Sequence, residues 1–108
     1  MSVKLLEHLR DELIACGVVQ NTPQFCQAWL GRSEGYIRTL RNHGTGPSVE
    51  TLIVCSHKLG HYRDRLRASG HDGNVHLADQ FDRLKLMCDQ AIARHAEAVW
   101  RAPERMTA

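Results

Sequence analysis

The spacing of apolar positions divides the chain into helical stretches. Leu5, Leu6, Leu9, Leu13 and Ile14 recur at three- and four-residue steps with charged residues between them. One face of a helix from about Val3 to Cys16 therefore turns toward a core, and Gly17 ends it. Thr22 followed by Pro23 starts a second helix, since a threonine hydroxyl caps free amides and proline suits the first turn. Phe25, Cys26, Trp29 and Leu30 form its inward side, and Gly31 stops it.

Only Arg32 lies between Gly31 and Ser33, which is placed to cap a third helix running from about Ser33 to Asn42. Tyr36, Ile37 and Leu40 share one side of that helix. So brief a turn makes the two short helices cross steeply. HGTGPS is a loop by composition, and Pro47 with Ser48 opens a fourth helix carrying Val49, Leu52, Ile53, Val54, Leu59, Tyr62 and Leu66. Gly60 either ends that helix or weakens it. After the loop ASGHDGN, a long fifth helix runs from about Val75 to Arg101. Nothing reads as strand, so the expectation is an all-α, five-helix single domain over residues 1–108.

The fifth helix carries a seam. Leu77, Leu84, Ala91 and Ala98 fall seven apart, with Phe81, Cys88 and His95 interleaved. Such a stripe either covers the first and fourth helices of its own chain or meets a second copy. In the second reading Leu77, Phe81, Leu84 and Cys88 are the dimer contacts.

Composition narrows the picture. No stretch approaches the roughly 18 uninterrupted apolar residues of a membrane span. Glu7, His8, Arg10, Asp11 and Glu12 break up the apolar start, which therefore differs from a signal peptide and suggests a cytoplasmic protein without membrane contact. Cys16, Cys26, Cys55 and Cys88 form no CxxC pair and have apolar neighbours, the pattern of buried free thiols. The net charge of +2 is small, but residues 22–67 hold seven Lys/Arg against three Asp/Glu, with Arg32, Arg38 and Arg41 close together. That is the modest positive footprint of a phosphate-contacting module. His57 and His61 share a helix face at a spacing of four, without a convincing third ligand, so no metal is expected. No Gly-rich phosphate loop, HExxH, nucleophile elbow or paired-carboxylate pocket is visible, so neither catalysis nor a cofactor is expected.

From Thr22 to Gly60 the chain resembles the lambda-repressor-like (XRE-type) helix-turn-helix family. The likeness is an ordered series without gaps. Thr22 opens the second helix, Leu30-Gly31 closes it, Ser33 caps the third, and Ile37 and Leu40 anchor it. Pro47-Ser48, Val49-Glu50-Thr51-Leu52 and Leu59-Gly60 follow. Gln27 departs from the usual small alanine, and Arg32 from the apolar residue frequent in the turn.

The resemblance implies that the third helix enters the major groove of double-stranded DNA. On the matching positions, Ser33, Glu34, Gly35, Arg38 and Thr39 face bases, with Arg38 suited to a bidentate guanine contact and Gly35 permitting close approach. Gln24, Arg32, Tyr36, Arg41 and Asn42 lie nearer phosphates. A small reading module beside a long helix favours a homodimer on an inverted-repeat operator, hence a bacterial or phage transcriptional regulator, a repressor by family habit. The competing expectation is a protein-interaction module, antitoxin-like or anti-activator, that uses the fifth helix.

Overall fold

The computed structural model describes residues 1–106. The described chain is helical with short connections and contains no strand. α1 spans Val3–Ala15 and begins where the Ser2 hydroxyl accepts a hydrogen bond from the Lys4 amide at 3.1 Å. Leu6, Leu9 and Leu13 are its buried stripe. At its end Gly17 adopts φ +78°, a left-handed conformation that suits a residue without Cβ. The amides of Val18 and Val19 fold back onto the Leu13 carbonyl, which carries Val19 into the core.

α2 has two parts, an α-helical turn Thr22–Gln24 and a π-helical stretch Phe25–Trp29. Its cap is Asn21 rather than Thr22, because the Asn21 Oδ1 accepts from the Gln24 amide at 2.9 Å. The wider π winding packs Phe25, Cys26 and Trp29 inward together. Gly31, at φ +65°, closes α2, and the Arg32 amide reaches back to the Cys26 carbonyl at 3.0 Å.

α3 covers Tyr36–His43, starting later than the expected Ser33. Ser33, Glu34 and Gly35 form a turn before it, in which the Ser33 carbonyl, not its hydroxyl, accepts from the Tyr36 amide. α4 runs Val49–Ala68, capped by the Ser48 hydroxyl on the Thr51 amide. Gly60 does not end it. A Cβ there would come within 2.9 Å of Lys85 Cε, so glycine leaves room for the Lys85 side chain to lie across α4. Ile53 and Val54, expected on the apolar side of α4, are about half exposed, while Leu52, Cys55, Ser56 and Leu59 are buried.

α5 spans Asp72–Trp100, beginning three residues before the expected Val75 because Gly70 turns the chain at φ +74° and leaves Asp72 in the first helical turn. Asp72 suits the positive end of the helix dipole. A short helix α6, Pro103–Met106, follows.

α4 and α5 form an antiparallel hairpin. Cross-pairs run in reverse order along it: Ser56 with Asp89, Arg63 with Asp82 at 2.6 Å, and Arg67 with Asp79 at 3.3 Å. α1 lies against the hairpin, with Glu12 accepting from Gln80, and α2 and α3 complete the body. One core joins the elements, built around Leu6, Leu9, Phe25, Leu52, Leu59 and Phe81.

The seam on α5 is part of this core as far as Ala91, whereas His95 and Ala98 beyond it are exposed. Phe81, Leu84 and Cys88 are 2, 3 and 0 % exposed, and Leu77 packs half-buried beside them. Phe81, Leu84 and Cys88 cover α1, α2 and α4 of their own chain, so the side chains expected at a dimer seam are taken up by the monomer core, while Leu77 stays partly open at its edge. The cysteines are free thiols, three of them buried and Cys16 half-buried. No helix among the described residues is long and apolar enough to cross a membrane.

Candidate nucleic-acid interface

α3 owes its orientation to Ile37 and Leu40, which are 4 and 8 % exposed and tie it to the core. Of the remaining positions on this helix of eight residues, Tyr36 is half-buried and those from Arg38 onward turn toward solvent. Arg38, Thr39, Arg41 and Asn42 are all exposed, and Ser33 and Glu34 are exposed in the preceding turn. Gly44, at φ +65°, ends the helix and receives hydrogen-bonding support from the Leu40 and Arg41 carbonyls. The expected base-facing side chains of Ser33, Glu34, Arg38 and Thr39 are therefore all exposed, with Arg41 and Asn42 of the expected phosphate set beside them on α3.

Gly35 serves a different neighbour from the expected one. A Cβ at Gly35 would meet the Arg38 Nη2 at 2.8 Å, so the guanidinium lies across the glycine backbone. The space left by the missing side chain holds Arg38.

Four of the expected phosphate contacts, Gln24, Arg32, Tyr36 and Arg41, have partners within the chain. Arg32 donates from Nε to Thr51 Oγ1 at 3.0 Å and from Nη2 to Ser48 Oγ at 2.8 Å, with its guanidinium 5.0 Å from the Tyr36 ring centre. The Tyr36 hydroxyl sits 3.2 Å from Thr51 Oγ1 and accepts from the Ser48 amide at 3.3 Å. Arg32 and Tyr36 thus clasp the turn before α3 to the start of α4. For Tyr36, burial opposes ionisation, yet the hydrogen bonds from Thr51 and Ser48 and the charge of Arg32 outweigh it, leaving the phenol below its ordinary pKa. Gln24 is also engaged, its Oε1 accepting from the Gln20 amide at 2.6 Å as the second half of the α2 cap.

A residue outside the expected set joins the surface. Arg10 on α1 lines, with Arg38 and Arg41 on α3, a shallow depression of about 340 Å³ that also includes Glu7, Thr22 and Ile37. Glu7 pairs with Arg41, and Arg10 bonds the exposed Asp11 at 2.9 Å. Three guanidinium groups thus face two carboxylates, Glu7 in the depression and Asp11 beside it, which leaves a net positive charge there. Arg10 stands among acidic residues in the sequence, and only the docking of α1 on α3 brings it here.

The segment that builds this surface lies within a match to a family model over residues 6–101, described as a family of unknown function. The chain belongs to that family, DUF6626. The match runs from α1 to just past the end of α5, so it takes in every helix that forms the depression and the core beneath it. No curated protein and no solved structure matches the DUF6626 chain.

Of the seven histidines, His43 ends α3 itself, while the expected pair lies on another helix. His57 and His61 are exposed on α4, and no group of three His, Cys, Asp or Glu placed to hold a metal occurs among the described residues.

Proposed function

We propose that this chain is a cytoplasmic, sequence-specific DNA-binding regulator, a repressor of the lambda-repressor-like kind, that reads the major groove with α3. It is a binding protein in this reading and not an enzyme. The observation that carries the proposal is the outward face of α3, where Arg38, Thr39, Arg41 and Asn42 stand exposed over a buried Ile37 and Leu40, joined by Arg10. Long cationic and amide side chains on a short, well-anchored helix suit base edges and phosphates.

In this reading Ser33, Glu34, Arg38 and Thr39 meet bases, with Gly35 setting the Arg38 position, while Arg10, Arg41 and Asn42 meet phosphates. Arg32, Tyr36 and Gln24 hold the module together instead. A homodimer on an inverted repeat pairs through surface other than Phe81, Leu84 and Cys88, which the monomer core uses. Selection from a random DNA pool followed by gel-shift titration tests the proposal. Arg38→Ala is expected to lose about 1 to 3 kcal/mol of discrimination at one base pair. Undiminished, equally selective binding by the variant would remove α3 as the recognition helix.

One observation favours a second reading, a protein-interaction module. The last turns of α5 are exposed, and Val99 and Trp100 are 40 and 53 % exposed there. An apolar helix end of this kind suits a protein partner. Salt separates the two readings, because phosphate contacts weaken steeply with ionic strength and an apolar contact does not.

A further inference from the structure

A cleft of about 390 Å³, none of whose lining residues is an arginine, opens between α2, α4 and the start of α5. Trp29, Tyr62, Leu66, Leu77 and Phe81 make its walls. Trp29 meets Phe81 edge-on at 5.9 Å between ring centres and Tyr62 tilted at the same distance, so the aromatic faces are fixed relative to one another. Such a volume lies at the small end of ligand sites, which are typically about 300 to 1,000 Å³.

Lys58 is the one charged residue lining it. Its ammonium is 4.7 Å from the Trp29 ring centre and 5.9 Å from that of Tyr62, and it donates to the Ala28 carbonyl. Among the described residues, no carboxylate lies within ion-pair distance of this half-buried cation. An ammonium has three donors, and the Ala28 carbonyl uses one. A cation with donors to spare at the edge of an aromatic cleft complements an anionic head on an apolar body. One wall, moreover, is the π-helical Phe25–Trp29, a winding that frequently marks functional sites.

We propose that this cleft binds a small amphipathic carboxylate, its apolar body between Trp29, Tyr62 and Phe81 and its carboxylate on Lys58 Nζ. Because α2 also leads into the turn before α3, an occupant here would bias the position of α3. That consequence for DNA rests on the function proposed above, whereas binding in the cleft does not.

Octanoate is the probe, and Trp29 is the reporter in a chain whose other tryptophan is removed by Trp100→Phe. A saturable change in Trp29 fluorescence is expected without any DNA present. Lys58→Met is expected to weaken binding about ten-fold or more, and 1-octanol to bind weaker than octanoate by a similar factor, since each removes a charge-assisted hydrogen bond. Lys58→Arg should stay within about three-fold. Lys58→Met also uncaps Ala28, so Ala28→Leu, which keeps the cap and fills the cleft, serves as the second variant and should lose octanoate at unchanged helix content. A non-saturating response, equal affinity for octanol and octanoate, or full binding by Lys58→Met or Ala28→Leu would overturn the proposal. A chain that binds octanoate but no DNA would overturn only the functional reading.

Discussion

Gly35 and Arg38 make one unit on the surface of α3. The guanidinium occupies the place a Cβ would take, and the obstructed atom is the far end of a flexible side chain. Gly35→Ala should therefore fold with little loss, within about 0.5 kcal/mol, yet displace Arg38 and weaken specific DNA binding. A thermal melt beside a gel-shift titration checks this, and equal losses in both would show that the glycine serves folding alone. The exposed residues of α3 were legible in the sequence because helical spacing separates them from Ile37 and Leu40. The engagement of Arg32, Tyr36 and Gln24 was not, because their partners are decided elsewhere: Ser48 and Thr51 lie 12 to 19 residues away in the chain, and the Gln24 cap depends on the backbone bend at Gln20 and Asn21.

At the scale of elements, the α4–α5 hairpin carries two predictions. Leu84 is 3 % exposed within the monomer core, so Leu84→Ala should destabilise the chain by about 2 to 5 kcal/mol. Its melting temperature should fall equally at all protein concentrations. A concentration-dependent loss would instead return Leu84 to a dimer seam.

The second concerns acid. The hydrogen bond from Arg63, with its charge, holds the Asp82 carboxyl below its ordinary pKa, and burial of Asp89 is outweighed by hydrogen bonds from Ser56 and Lys85. Depressed folded-state values mean that this stabilisation is present above the unfolded pKa of about 4 and is lost as pH falls through the folded values. Melting temperature should therefore drop below about pH 4, and less steeply in Arg63→Met with Lys85→Met. An unchanged acid limb in the double variant would show that these pairs do not govern it. The helices themselves were readable from apolar spacing and from Ser48 and Gly17. Their starts were less so: a cap is chosen by backbone geometry, which gave α2 to Asn21 and began α3 at Tyr36.

For the whole molecule, function depends on surfaces assembled from separate helices. Arg10 joins Arg38 and Arg41 only through the packing of α1 against α3. In the DNA-binding reading, Arg10→Ala should weaken binding about equally across sequences and reduce the slope of log affinity against log salt by about 1. An altered base preference with the slope unchanged would mean that Arg10 does not contact phosphate. The same packing sends the α5 stripe inward as far as Ala91, where α1, α2 and α4 together present apolar surface to cover it.

By itself the sequence determined the helical class, the left-handed glycine turns at Gly17 and Gly31, the inward faces of α1 and α3, and the exposure of Arg38, Thr39 and Asn42. These follow from local rules, a period of 3.6 residues and the freedom of a residue without Cβ. Tertiary structure alone decided that Phe81, Leu84 and Cys88 belong to the chain's own core, that Arg32 and Tyr36 clasp α4, that Arg10 meets the α3 arginines, and that Lys58 overhangs an aromatic cleft. Each of these is a contact between residues distant along the chain, and a one-dimensional pattern records which face of a helix is apolar but not which neighbour will cover it.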